Sequence, residues 1–348
     1  MRICFFGNFT GGGTEKAGFG VANALCESHE VYVLSSSNRQ CFFELDSRIP
    51  FSNLGGGNLA KKNFLLYKYL KKNKIDVLIS LEAMSGIISI IPAKLASVKL
   101  VIWEHANYFQ NQGSRFIQKI RAFELKTANA YVVLTKRDLN NFKNNFKIKS
   151  KIEYIYNTVD EACTCEYDLS SKTVLSAGYI REIKNFIVIP EIGFIVFAKH
   201  PDWKWEIYGN KQGKYYERIK QRVQDLGLTE NIVFCDRTND MDAVYRKSAM
   251  YVMTSLQEGL PMVLLEAKAR KLPLVSFDIE TGPDEIIRDG ENGFLIPPYD
   301  VAKMADAINK LIEDEKLRRE FSDNARLDVE KFDALAVKAR WEELLIKL

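Results

Sequence analysis

The stretch Ser255-Leu-Gln-Glu-Gly-Leu-Pro-Met-Val-Leu-Leu-Glu266 gathers two carboxylates, a glycine and a proline around one expected strand-to-helix junction. The apolar run Met250–Thr254 ends there, and Pro261 suits the first position of the following helix. The amides of Met262 and Val263 would then lack intrahelical partners and point out of the helix start, where the dipole favours an anion. Glu258 falls in the turn and Glu266 inside the helix, which at ~1.5 Å per residue sets them about 12 Å apart. Carboxylate pairs that hydrolyse glycosides stand about 5–9.5 Å apart. This pair instead suits two grips on hydroxyl-bearing parts of one elongated ligand, with phosphates between them. Taken alone, two such glutamates also fit a solvated surface.

Gly11–Gly13 follows the apolar run Arg2–Phe6 and precedes a helical pattern over Ala17–Cys26. The dinucleotide fingerprint G-x-G-x-x-G fails here, because its last glycine would have to replace Lys16 or Asn23. The second apolar run ends in Ser35–Ser37, without a carboxylate for an adenosine ribose, so hydride transfer is disfavoured. Either the loop lets backbone amides approach a phosphate or sugar, or it is a plain tight turn. His105 follows the apolar run Leu100–Trp103 and is a packed polar residue or a site histidine. Asp240-Met-Asp242 matches a metal-binding Asp-x-Asp pair, but it stands before the helical run Ala243–Ala249, where aspartate caps helices. Six cysteines without a CxxC pair and three scattered histidines argue against zinc or a disulfide framework. No metal site is expected.

These candidates need a scaffold, and the apolar runs supply one. Strands are expected at Arg2–Phe6, Val31–Ser35, Asp76–Ser80, Leu100–Trp103, Tyr131–Thr135 and Ile152–Tyr156, with helical patterns between several of them. The series restarts after Lys172 with Thr173–Ala177, Lys204–Tyr208, Ile232–Phe234, Met250–Thr254, Pro273–Phe277 and Phe294–Ile296. Strands alternating with helices imply parallel sheets covered on both faces. A chain of 348 residues accommodates two such doubly wound domains, here 1–165 and 166–331 with a linker around Asp160–Ser171. Ligands in such sheets lie beyond the carboxyl ends of the strands, so the expected active site is a cleft between the domains. Residues Phe332–Leu348 read as a final amphipathic helix containing Trp341, which either caps the second domain or returns to the first.

Glu258, Glu266, Ser255, Gly259 and Pro261, with Thr281-Gly-Pro283, Glu285-Ile-Ile287 and Asp289-Gly-Glu-Asn-Gly293, give S-x-x-E-G-x-P-x-x-x-L-E-A, G-P-x-E-I-I and D-G-x-N-G. Together with His200-Pro-Asp-Trp-Lys-Trp-Glu-Ile-Tyr-Gly209, Gly12-Gly-Thr-Glu15 and Trp103-Glu-His105, this pattern resembles the retaining glycosyltransferases of family 4. The resemblance covers nearly the whole chain and implies the α/β fold GT-B, two facing Rossmann-like domains. It further implies that Glu258 contacts donor-sugar hydroxyls near the reacting carbon and that Glu266 bonds the nucleotide ribose. The amides around Gly259, Leu260, Met262 and Val263 and the Gly12–Gly13 loop would hold diphosphate and sugar, and His105 would touch the sugar near its 6-hydroxyl. The family carries an Arg after a glycine and a Lys five residues later on the diphosphate. Lys184 matches, but Tyr179 stands where the Arg belongs; Arg181 either supplies that charge by another route or is an ordinary loop residue.

The resemblance implies a hexosyltransferase with no cofactor, taking a nucleotide sugar, UDP-linked by family habit, to a glycan or polyprenyl-diphosphate-linked acceptor. The alternatives are an epimerase of the same fold and an inactive nucleotide-sugar-binding homologue. Net charge bears on the acceptor. Residues 1–160 hold 22 Lys+Arg against 12 Asp+Glu, a balance of +10, whereas residues 161–348 balance to −6. Lys61–Lys72 and Ser114–Leu125 can each be drawn as a helix with one apolar and one basic side. They either face the core with a solvated rim or meet an anionic membrane leaflet. Nothing accompanies this charge that would read nucleic acid. No uncharged apolar run is long enough to span a bilayer, and the first residues lack signal-peptide character. A cytoplasmic protein, peripheral on the inner membrane face, is the expectation.

Overall fold

The computed structural model describes residues 1–9, 12–37, 43–110, 114–159 and 166–348. Gly11, Cys41, Cys163, Cys165 and the first part of the expected linker lie outside the described residues. The chain divides into two compact units, Met1–Thr158 with Glu330–Leu348, and Val159–Val329.

The first unit is built on strands β1 (Arg2–Gly7), β2 (Glu30–Ser35), β3 (Phe51–Asn53), β4 (Val77–Leu81), β5 (Lys99–Trp103), β6 (Ala130–Val133) and β7 (Lys151–Tyr154). They form one parallel sheet in the order β3-β2-β1-β4-β5-β6-β7. Its central strands are buried almost throughout, β4 at every position, as expected of strands covered on both faces. Helices α1 (Gly13–Leu25), α2 (Leu59–Lys72), α3 (Ala83–Ala96), α4 (Arg115–Thr127) and α5 (Lys136–Asn145) connect them.

The second unit carries β8 (Thr173–Ala177), β9 (Lys204–Tyr208), β10 (Ile232–Cys235), β11 (Met250–Met253), β12 (Leu274–Phe277) and β13 (Gly293–Ile296). Their order is β10-β9-β8-β11-β12-β13, again parallel. Its helices are α6 (Ile189–Lys199), α7 (Lys214–Asp225), α8 (Met241–Arg246), α9 (Met262–Ala269), α10 (Pro283–Ile286), α11 (Val301–Glu313) and α12 (Glu315–Asp323). The last helix, α13 (Ala334–Ile346), belongs to the first unit and packs against α1. Its Trp341 is fully buried, ring centroid 4.9 Å from Trp103. Burying such a side chain stabilises the dock by roughly 1.5–3 kcal/mol.

Each sheet has one place where successive strands switch from one side to the other: between β1 and β4 in the first unit, and between β8 and β11 in the second. There the two flanking loops diverge and leave a crevice at the carboxyl end.

Four details depart from the sequence reading. Strand β3 went unforeseen because three residues after a proline, none of them buried, form no apolar run. Helix α1 begins at Gly13, four residues before the expected Ala17, so the glycine loop is the helix start, with Gly12 as its cap. Pro261 has an extended ψ of 105° and caps α9, which begins at Met262. Helix α4 turns Arg121, Glu124, Ile120 and Leu125 inward and leaves Phe116 and Phe123 more than half exposed. Two of its charged residues are therefore inside and two of its phenylalanines outside.

Candidate active site

In the second unit the loops after β8 and β11 are laced across the switch point. Leu256 N donates to Ile183 O at 2.8 Å, and Thr254 Oγ1 to Lys184 O at 2.9 Å. Lys184 Nζ then donates to Glu258 Oε1 at 2.5 Å, the side chains 22% and 15% exposed. An ion pair this far out of water is strong enough to fix both side chains while leaving each reachable by a ligand. Gly178 adopts φ +151°, a conformation that a side chain would strain, with the Lys184 stem in ordinary contact range above it.

The turn holding Glu258 is braced from behind. Thr281 Oγ1 donates to Glu258 O at 2.6 Å. Gly282, with φ +106°, sits so close that a Cβ would meet Pro261 Cδ at 2.5 Å and Gly259 O at 2.9 Å. The Thr281-Gly-Pro283 sequence thus shapes the site without entering it. Asn292 accepts from Arg288 N, and a Cβ on Gly293 would lie 2.4 Å from Leu274 O, so that sequence is a turn closing onto β13.

Because Pro261 is the cap, the first bonds of α9 are Leu264 N and Leu265 N to Pro261 O. The amides of Met262 and Val263 precede them at the helix start, and no acidic residue occupies the first turn. This end attracts an anion. The Leu260 side chain is buried, so only its backbone can serve the turn. Glu266, further along α9, accepts a hydrogen bond from Tyr245 Oη at 2.7 Å.

Arg181 and Arg237 each place a guanidinium 5.1 Å from the ring centroid of Tyr179. Arg237 follows β10 and had no signal in the sequence, because what puts it there is the adjacency of β10, β9 and β8. The two aspartates of the Asp-x-Asp pattern are engaged elsewhere. Asp240 caps α8 through Ala243 N, and Asp242 pairs with Arg246 and Arg270.

In the first unit the loop after β5 carries His105. Its flanks are pinned by buried charge: Glu104 pairs with Arg121 at 3.0 Å, both about 1–2% exposed. Arg121 also donates to the carbonyls of Asn107, Tyr108 and Gln110. Asp138 accepts from Tyr108 N at 2.8 Å, and burial lifts its carboxyl to about 7. Burial lowers the His105 imidazole to about 3, and its Nε2 is buried without a partner. His105 is therefore a neutral ring with an unsatisfied nitrogen, suited to one hydrogen bond with a hydroxyl and not to acid catalysis.

At the switch point of this unit, Gly12 caps α1 without a side-chain bond, and open space surrounds it. Thr14 Oγ1 donates to Glu82 Oε1 at 3.0 Å, linking the helix start after β1 to the end of β4. Glu15 adds a buried carboxylate in the first turn of α1. The sequence reading selected Gly12 and Gly13 but passed over Glu82, whose position depends on the pairing of β1 with β4.

Residues 168–328 match the family of Glycosyl transferases group 1, and residues 11–162 match Glycosyltransferase Family 4. The chain belongs to the glycosyltransferases of family 4 and has the GT-B fold. It is similar to an uncharacterized glycosyltransferase of Haemophilus influenzae, 28% identical over 342 residues and 96% of each chain. It is also 26% identical, over 100% of this chain and 99% of the other, to a Campylobacter jejuni GalNAc-alpha-(1->4)-GalNAc-alpha-(1->3)-diNAcBac-PP-undecaprenol alpha-1,4-N-acetyl-D-galactosaminyltransferase. Among solved structures, Anabaena HepE in complex with UDP-glucose superposes over the full length of both chains, with a TM-score of 0.88 at 19% identity.

Proposed function

We propose that the protein is a retaining, metal-independent hexosyltransferase that moves a hexose or N-acetylhexosamine from a UDP-linked donor to a lipid-linked oligosaccharide or another surface glycan. The observation that carries this reading is the Lys184–Glu258 pair at the switch point of the second sheet, in the turn leading to the open amides of α9. A cation and two amides suit a diphosphate, and a carboxylate, as a hydrogen-bond acceptor, suits sugar hydroxyls. As the diphosphate departs, Lys184 and the start of α9 take up its growing charge in a preformed arrangement. Arg181 and Arg237 add positive charge near the same loops, and Glu266 accepts from the ribose.

Retention is explained by attack on the face the diphosphate leaves, assisted by a donor phosphate oxygen. Glu258 is held by Lys184 and serves as a hydroxyl acceptor, not as a covalent nucleophile. The UDP assignment leans on the nucleotide named with HepE, and the lipid-linked acceptor on the name of the Campylobacter relative.

The outer helices of the first unit favour an acceptor held at a membrane. Helix α3 packs between α2 and α4, and the three expose Phe64, Ile91, Leu95, Phe116 and Phe123, each more than half accessible. Lys61, Lys62, Lys68, Lys71, Lys72, Lys94, Arg115 and Lys119 interleave with them. Aromatic side chains with basic neighbours are what an anionic leaflet binds. Among the described residues no helix is long and apolar enough to cross a membrane.

A panel of nucleotide sugars, followed for donor loss with and without a polyprenyl-diphosphate-linked N-acetylhexosamine, tests the assignment. Acceptor-dependent release of UDP is expected. Sugar interconversion without acceptor would make the protein an epimerase, and no turnover would make it a binding homologue. A glycosyl-enzyme adduct seen by mass spectrometry would overturn the same-face mechanism. Full activity on lipid-free acceptors, with no sedimentation on phosphatidylglycerol vesicles, would remove the membrane role.

A further inference from the structure

Strand β4 ends at Leu81 and helix α3 begins at Ala83, so the whole reversal from strand to helix falls on Glu82. Its N–H still extends the β4–β5 ladder to Trp103 O at 2.9 Å, while its own carbonyl already accepts from Ser85 and Gly86 of the helix. The backbone answers with φ +66° and ψ 149°, a region occupied almost solely by glycine. Ser97 and Asn185 also have positive φ, but they sit in the ordinary left-handed helical well.

The surroundings hold this turn in place. A Cβ on Gly18 would come within 2.9 Å of Leu81 Cδ2, and one on Gly7 within 3.0 Å of Leu81 Cβ. Two glycines thus let β1 and α1 close onto the residue before the turn. The consequence is a carboxylate raised above the end of the sheet, as in strand–turn–helix elbows that present a reactive side chain. Glu82 is exposed, lies on the β4 side of the switch crevice, and is oriented by Thr14 from the β1 side.

The chemistry of the crevice narrows its ligand. Glu82 and the buried Glu15 place two carboxylates at this end of the first unit, with the Glu104–Arg121 pair nearby, although residues 1–160 as a whole carry a positive balance. Crowding by protein and then by Glu104 lifts the Glu82 carboxyl above the usual range. A phosphate would be repelled, whereas hydroxyl groups, as donors to a carboxylate, would be welcomed.

Resting on the glycosyl transfer proposed above, we propose that Glu82 is an acceptor-binding residue, its carboxylate receiving hydroxyls of the acceptor's terminal sugar in the β1–β4 crevice. The strain then persists because it delivers the carboxylate to that sugar.

Two variants separate this role from a structural one. Glu82→Gln keeps the shape and loses the charge; it is expected to raise the KM for the polyprenyl-diphosphate-linked N-acetylhexosamine about tenfold, with donor KM and acceptor-independent UDP-sugar hydrolysis unchanged. Glu82→Gly removes the strain; it is expected to weaken acceptor use further, while melting no lower than wild type and up to about 3 °C higher. Saturation-transfer NMR with methyl glycosides of hexoses and N-acetylhexosamines reads binding without turnover, and the wild-type signal should fall in both variants. An acceptor KM within twofold of wild type in Glu82→Gln, or an equal rise in donor KM, overturns the proposal while leaving the transferase reading intact. If wild type turns over no donor yet binds methyl glycosides through Glu82, the hydroxyl site stands and the transferase reading falls.

Discussion

In the first unit the loops after β1 and β4 meet through Thr14 and Glu82; in the second the loops after β8 and β11 meet through Lys184 and Glu258. The topology is the same, and so is the place of the bond. The groups around it differ in sign. The loop that carries Lys184 also carries Arg181, whose guanidinium shares the Tyr179 ring with that of Arg237, and the α9 start is free of acidic residues. Beside Glu82 stand Glu104, itself paired with Arg121, and a helix start occupied by Glu15. Bulk charge runs the other way, +10 over residues 1–160 and −6 over the rest. The unit with the basic exterior has the acidic crevice, and the unit with the acidic exterior has the cationic one. Net charge by domain therefore describes outer helices, and the ligand is chosen by the few residues that the switch point collects.

The contrast breaks most visibly at Lys184 and Glu258. Lys184→Ala or Glu258→Ala is expected to lower kcat for sugar transfer about 10²–10³-fold with an unchanged circular dichroism spectrum; turnover within threefold of wild type would deny the second crevice its role. Next in size is the buried clamp of the first unit. Arg121→Met strands Glu104 in a buried site and releases three carbonyls, at a cost of about 3–5 kcal/mol by urea unfolding. If it costs less than 1 kcal/mol, the clamp is not what fixes the His105 loop.

A pH series sharpens the comparison further, since the depressed imidazole lies in the first unit. His105, lowered to about 3 by burial, takes up its proton more readily when unfolded, so its contribution to stability is complete above about pH 6.5 and declines as pH falls. Asp138, lifted to about 7 by burial, and Glu124, lifted for the same reason, act oppositely, adding stability as pH falls from 7 toward 4. His105→Asn should therefore flatten or reverse the loss of stability on acidification between pH 6.5 and 4; an unaltered urea-unfolding profile would place the histidine in a solvated site. The smallest effect is expected at the tyrosine stack. Arg181→Ala and Arg237→Ala should each raise the donor KM about three- to tenfold, and more at low ionic strength. No change in either would confine the cationic character of the second crevice to Lys184 and α9.

Much of this was legible in the residues themselves. The twelve longer strands stand out because a parallel sheet buried on both faces demands continuous apolar runs, and Thr173–Ala177 and Lys204–Tyr208 match residue for residue. The Ser255–Glu266 stretch announced a helix start with free amides because glycine, proline and glutamate at that spacing have few other uses. The short edge strand β3 and the inverted burial of α4 were not legible. In α4 two of the four buried positions belong to Arg121 and Glu124, whose charge hides the stripe, while Phe116 and Phe123 outside it mimic a core face.

By itself the sequence determined the two parallel sheets, the family and the second-unit turn, since these depend on periodicity and on residues close together along the chain. Tertiary structure decided which distant residues share a crevice. Lys184 meets Glu258, Arg237 reaches Tyr179, and Thr14 meets Glu82 only because β8 pairs with β11 and β9, β9 with β10, and β1 with β4. It also decided the backbone of Glu82, which no propensity would assign to a glutamate, because the strand's last hydrogen bond and the helix's first must be made by the same residue.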